Sequence, residues 1–170
     1  MPIDYLFDYH PYHGGKNPKH IGASVQLLKF KNGDPQAIQF FTSHVEAKLK
    51  ATIPSGTGFS VATVPSSTVG KAHRGFGPMI RLLKGSIPEI NNDVNLLKRI
   101  SCITPLHKGG NRTMSVHQKS LKAVDSIVTA QKVVLLDDVT TTGNSLQVAA
   151  GLLQQAGADV VLTLALCKTV

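Results

Sequence analysis

One stretch constrains this chain more than any other: Val133-Val134-Leu135-Leu136-Asp137-Asp138-Val139-Thr140-Thr141-Thr142-Gly143-Asn144-Ser145. A continuous apolar run ends in two adjacent carboxylates. Hydroxyls and one glycine follow, and the 145–155 segment then has helical spacing with Gly157 beyond its end. An unbroken Val/Leu strand feeding a helix is the signature of a strand buried on both faces. It predicts an α/β domain with a parallel sheet and helices on each side.

The rest of the chain supports that class. Ile38, Phe41, Val45 and Leu49 recur at helical intervals, so 35–50 is predicted helical, with Asp34-Pro35 as N-cap and first-turn proline. Segment 25–28 has helical spacing, and 78–83 and 93–98 are also predicted as helix. Strands are predicted at 59–64, 100–106, 133–136 and 160–167. The polar, basic 108–119 stretch, with Gly109-Gly110, reads as a mobile loop. Residues 1–20, holding Tyr5, Tyr9 and Tyr12, read as an irregular or hairpin-like extension that folds back on the sheet edge, and 21–170 as the domain proper.

Ligands of open parallel sheets bind beyond the carboxyl ends of the strands. A helix start there offers free N–H groups and partial positive charge, a seat for phosphate. Thr140, Thr141, Thr142 and Ser145 add hydroxyls, and Gly143 lets backbone come close. Two acids beside a phosphate must face something else, and ribose hydroxyls and a divalent cation fit. A capped helix alone would explain one Asp or one Thr, not this concentration.

Composition narrows the partners. Eighteen Lys+Arg against ten Asp+Glu give +8, which points to an anion, either nucleic acid or a phosphorylated small molecule. The 42% apolar content excludes collagen-like and disordered classes. Cys102 and Cys167 lie in apolar runs and read as reduced core residues, too few for a disulfide framework or a Cys₄ zinc site. No secretory pattern opens the chain and no run spans a bilayer, so a cytoplasmic protein without membrane contact is expected. Gly70-Lys71 lacks the other positions of a nucleotide-triphosphate P-loop, and no G-x-G-x-x-G follows a strand. His10, His13 and His20 have only Asp4 and Asp8 as acidic helpers, and zinc is not expected.

Leu135 to Ser145 closely resembles the phosphoribosyl-pyrophosphate (PRPP) loop of type I phosphoribosyltransferases. Leu28-Lys29-Phe30-Lys31 with Gly33-Asp34, Val64-Pro65 with Lys71 and Arg74-Gly75-Phe76, and Lys108, Arg112-Thr113 with Gln118 to Leu121 resemble the ComF-like, competence-associated group. The chain departs from that group in lacking a cysteine-rich zinc ribbon and in having Gly77 after Phe76. Met1-Pro2 also lacks the cysteine nucleophile of glutamine-hydrolysing relatives.

The resemblance implies transfer of ribose 5-phosphate from PRPP·Mg²⁺ to a nucleophile, with release of pyrophosphate. It implies that Asp137 and Asp138 hold the ribose hydroxyls and reach Mg²⁺ through water. Thr140, Thr141, Thr142, Gly143, Asn144 and Ser145 would seat the 5′-phosphate. Ser66, Ser67, Lys71 and Arg74 would lie on the pyrophosphate side, and Arg112 would reach it from a lid. Base-salvaging purine relatives carry Asp where this chain has Thr141, so the resemblance favours an amine or pyrimidine-like acceptor. Homo-oligomers are left open. The competing expectation is a PRPP-fold regulatory protein that grips single-stranded nucleic acid through its basic surface, although few aromatics are available for base stacking.

Overall fold

The computed structural model describes residues 2–70, 73–92, 95–103, 113–127 and 129–170. Its centre is β6 (Lys132–Thr140) beside β7 (Asp159–Thr169). Around this pair β1 (Asp4–Tyr9), β2 (Phe59–Thr63) and β3 (Ile90–Asn92) complete a five-stranded sheet of order β1-β7-β6-β2-β3. All its pairings are parallel.

Alternation along β6 divides the core into two layers, because successive strand residues face opposite sides. Val134 and Leu136 join α1 (Ala23–Lys31), α2 (Pro35–Thr52) and α3 (Phe76–Ser86) on one face. Val133 and Leu135 join α5 (Asn144–Gln155) on the other, with the antiparallel pair β4 (Leu97–Arg99) and β5 (Leu121–Ala123). The α/β fold with helices on both faces is therefore as expected. Asp34 caps α2 as its position predicts, accepting from the Ala37 N–H at 2.9 Å with Pro35 at the first helical position. Asp34→Ala should cost about 1 kcal/mol, read by urea denaturation.

Several expectations change. Residues 4–9 are not irregular or hairpin-like: they are the edge strand, in register with β7 from Asp4↔Leu164 to Tyr9↔Thr169. Phe7 anchors the strand by stacking on Phe40, ring centroids 5.3 Å apart. The predicted 93–98 helix gives way to strand at Leu97, with Leu96 and Leu97 buried; Asp93 and Val94 lie outside the described residues. The strand expected at 100–106 is displaced to Leu97–Arg99, where β5 supplies an antiparallel partner; 104–106 lie outside the described residues. Within the expected 108–119 loop, Met114–Ser120 is helical (α4), while 108–112, with Gly109-Gly110, lie outside the described residues. The buried face of α4 is polar, His117 and Ser120, which hides its periodicity. Cys167 is buried, but Cys102 is exposed, because the chain there is no longer a strand. Among the described residues, no helix is long and apolar enough to cross a membrane.

Candidate functional site

The strand β6 carries the two acids within its length rather than after its end. Each is only 6% exposed. Adjacent strand residues point to opposite faces, and their partners follow suit. Asp137 meets the α5 side: the Ser145 hydroxyl donates to its Oδ2 at 3.1 Å, and the Asp138 N–H donates to its Oδ1 at 2.9 Å. Asp138 meets the helical layer of α1 and α3. Lys31 Nζ lies 3.3 Å from its Oδ2, and His73 Nδ1 lies 3.4 Å from the same oxygen. The Val139 N–H donates to the other oxygen at 2.6 Å.

Burial pushes the Asp137 carboxyl up to about 8, and the neighbouring Asp138 charge adds to the rise. The hydrogen bonds from Asp138 and Ser145, and the Lys31 charge, oppose it without cancelling it. Burial likewise raises the Cys167 thiol to about 12, which keeps it neutral beside the acids. The folded protein thus holds a proton on Asp137 that the unfolded chain releases in the ordinary carboxylate range. The resulting stability is complete below that range, declines as pH rises, and is lost above about 8. Asp137→Asn keeps both hydrogen bonds in a neutral side chain. It should flatten the pH dependence between 5 and 8 and gain roughly 1–2 kcal/mol at pH 8, about 3–8 °C in Tm by calorimetry.

The turn beyond β6 is built as its residues suggest. Gly143 takes the left-handed conformation at φ 82° and caps α5, with its carbonyl accepting from the Gln147 N–H at 2.9 Å. Asn144 opens α5. The Thr141 hydroxyl donates to Thr169 Oγ1 at the end of β7, and Thr142 is exposed. Thr140 is 5% exposed, and its hydroxyl finds no hydrogen-bond partner among the described residues.

After β2, Ser66 and Ser67 are half-buried in the loop that leads toward α3. The Ser66 side chain folds locally onto Thr68, accepting from the Thr68 N–H at 3.2 Å. Arg74 is exposed and its stem runs beside Gly33. Lys71 and Arg112 lie outside the described residues. His20 Nδ1 contacts the His10 carbonyl oxygen at 2.7 Å, so this histidine serves the local fold. Among the described residues, no three His, Cys, Asp or Glu side chains gather as a metal-binding group.

Two residues at the acids escaped the sequence reading. Lys31 ends an amphipathic helix, where an exposed cation is ordinary, and His73 sits in a polar loop. Only tertiary structure brings them to Asp138. The available signal was that Lys31 lies in the Leu28–Lys31 stretch that carries the resemblance.

No protein-family model matches the chain, and no curated protein matches it in sequence. Solved structures do. An adenine phosphoribosyltransferase superposes over 79% of this chain and 71% of its own, with TM-score 0.51 and 15% identity. A purine phosphoribosyltransferase from Pyrococcus horikoshii Ot3 aligns over 100% of this chain and 92% of its own, at 14% identity and TM-score 0.42. The structural neighbours are type I phosphoribosyltransferases, and the five-stranded parallel sheet with its flanking helices is the fold they share with this chain.

Proposed function

We propose that the protein is a phosphoribosyltransferase. It takes ribose 5-phosphate from PRPP, passes it to a nitrogen nucleophile and releases pyrophosphate. One observation carries this reading: a buried strand delivers Asp137 and Asp138 to the carboxyl edge of a parallel sheet and turns at left-handed Gly143 into α5. The 5′-phosphate sits on the first N–H groups of α5, with Thr140, Thr141, Thr142 and Ser145 adding hydroxyls. Asp137 and Asp138 accept from the ribose hydroxyls. Ser66, Ser67, Lys71, Arg74 and Arg112 serve the pyrophosphate side.

The two carboxylates offer hard oxygen donors but no three-ligand cage among the described residues. That suits Mg²⁺, which binds through one or two carboxylates together with substrate phosphates and water. Asp137 and Asp138 would hold it, directly or through water, and its charge would stabilise the departing pyrophosphate. In the reaction the C1–O bond breaks and its electron pair leaves on pyrophosphate. The nitrogen lone pair forms the C1–N bond on the opposite face, and the nitrogen then loses its proton to solvent. Thr141 supplies no carboxylate to read a purine ring, which favours an amine or a pyrimidine-like acceptor. The Leu28–Lys31, Val64-Pro65 and Arg74–Phe76 stretches favour the ComF-like group. PRPP-dependent pyrophosphate release, screened over nitrogen nucleophiles, tests the reading; no release with any of them would count against it.

A second reading, a regulatory protein that grips single-stranded nucleic acid, has one observation in its favour. Lys98 and Lys122 stand directly opposite each other on β4 and β5, both exposed. Like charges so placed repel unless an anion lies between them. Gel shifts at two salt concentrations separate this reading from the first.

A further inference from the structure

Arg99 lies in β4, only 9% exposed, and is used by nothing described so far. Its guanidinium grips the loop after β2. Nε donates to the Ser66 carbonyl at 2.9 Å and one terminal nitrogen donates to the Pro65 carbonyl at 2.8 Å. The other terminal nitrogen donates to the Ser120 hydroxyl at the end of α4, at 2.7 Å. The next carbonyl, of Ser67, accepts from the Ile103 N–H at 3.0 Å. Three successive carbonyls are therefore turned toward the 99–103 segment.

An extended strand cannot do this, since its carbonyls alternate in direction. In a trans peptide unit the N–H points opposite to the C=O. With the Pro65 and Ser66 carbonyls held on Arg99, the Ser66 and Ser67 N–H groups face away from it, side by side. Neither donates to another described residue. Adjacent N–H groups of this kind form an anion-binding concavity.

We infer that Arg99 is a positioning residue for the pyrophosphate side of the site: by fixing the Pro65 and Ser66 carbonyls it presents the Ser66 and Ser67 N–H pair to the leaving diphosphate. This rests on the phosphoribosyltransferase reading of that loop. The same guanidinium ties the loop to α4 through Ser120, so β4, the loop after β2 and α4 meet at one side chain. A lysine there would keep the charge but lose the planar fork that serves two carbonyls at once.

Calorimetric titration of the full chain with magnesium pyrophosphate and, separately, with ribose 5-phosphate tests this. Ribose 5-phosphate engages only the β6–α5 turn, so it reports general damage. Arg99→Lys should weaken pyrophosphate binding about tenfold or more and raise KM for PRPP, with ribose 5-phosphate affinity within about twofold of wild type. Ser120→Ala, which removes one of the three Arg99 bonds together with the Ser120 bond to the His117 carbonyl, should change pyrophosphate affinity in the same direction by about two- to fivefold; it decides the matter should Arg99→Lys not fold. Unchanged pyrophosphate affinity, or equal loss of both ligands, would overturn the positioning role. A wild-type protein that binds neither ligand would overturn the transferase reading itself.

Discussion

Replacing Asp137 and Asp138 together by asparagine is expected to lower PRPP turnover by about 10²–10⁴-fold while the protein stays folded. A bond from a ribose hydroxyl to an ionised carboxylate is worth about 1.5–3 kcal/mol, so Asp137 must give up its proton as PRPP binds, and two such bonds set that range. The fold should survive for reasons visible at the site. Asp137 is already pushed toward its neutral form by burial and by Asp138, so a neutral amide suits its surroundings. Asparagine at 137 still accepts from the 138 N–H and turns its amide toward Ser145. At 138, the loss leaves Lys31, whose side chain is 36% exposed, within reach of water. Circular dichroism with a Tm within a few degrees of wild type, beside lost pyrophosphate release, is the expected pair of results. Normal turnover would remove the acids from the ribose.

The second large effect is on stability. Gly75 precedes α3 at φ −81°, a backbone any residue adopts, so its need is for space. A Cβ there would stand 2.6 Å from the Phe30 ring and 2.6 Å from the Phe30 carbonyl oxygen. Phe30 is fully buried and meets Phe41 and Phe76 edge-on, with centroids 5.4 and 5.2 Å away. The ring cannot yield cheaply and the carbonyl belongs to the backbone of α1. Gly75→Ala should cost about 3 kcal/mol, near the top of the usual overpacking range, and lower Tm by about 6–12 °C. Gly77, two residues on, provides the contrast. Its nearest foreign atom would be an Arg81 nitrogen at 4.0 Å, and it lies within α3. Gly77→Ala should therefore stabilise by up to about 1 kcal/mol. Urea denaturation of the two variants reads both signs. The Gly75 contact also bears on the site, since Lys31 follows Phe30 and His73 lies two residues before Gly75: both side chains that meet Asp138 flank this close packing.

What the sequence makes legible follows from how local each signal is. β6, its turn and α5 stand out because a continuous apolar run, two acids and a glycine are neighbours in the chain. α2 stands out through its apolar spacing and its Asp-Pro start. β1 is masked because an edge strand keeps Asp4 and Asp8 within it, with Asp4 paired to Lys48 on α2. α4 is masked because it buries a histidine and a serine where periodicity needs apolar residues. The site divides the same way. The acids and the Thr-Gly turn are read from one segment. Lys31, His73 and Arg99 reach their partners from separate elements, and nothing local distinguishes them from ordinary surface polar residues.

The turn from β6 into α5 is the proposed PRPP site. A thermal-shift titration of the intact protein with PRPP at millimolar Mg²⁺, with the Asp137→Asn/Asp138→Asn variant beside it, tests this most directly. The expected result is a saturable rise in Tm for the wild type that is abolished or strongly reduced in the variant. No rise in the wild type, or an equal rise in both, would contradict it.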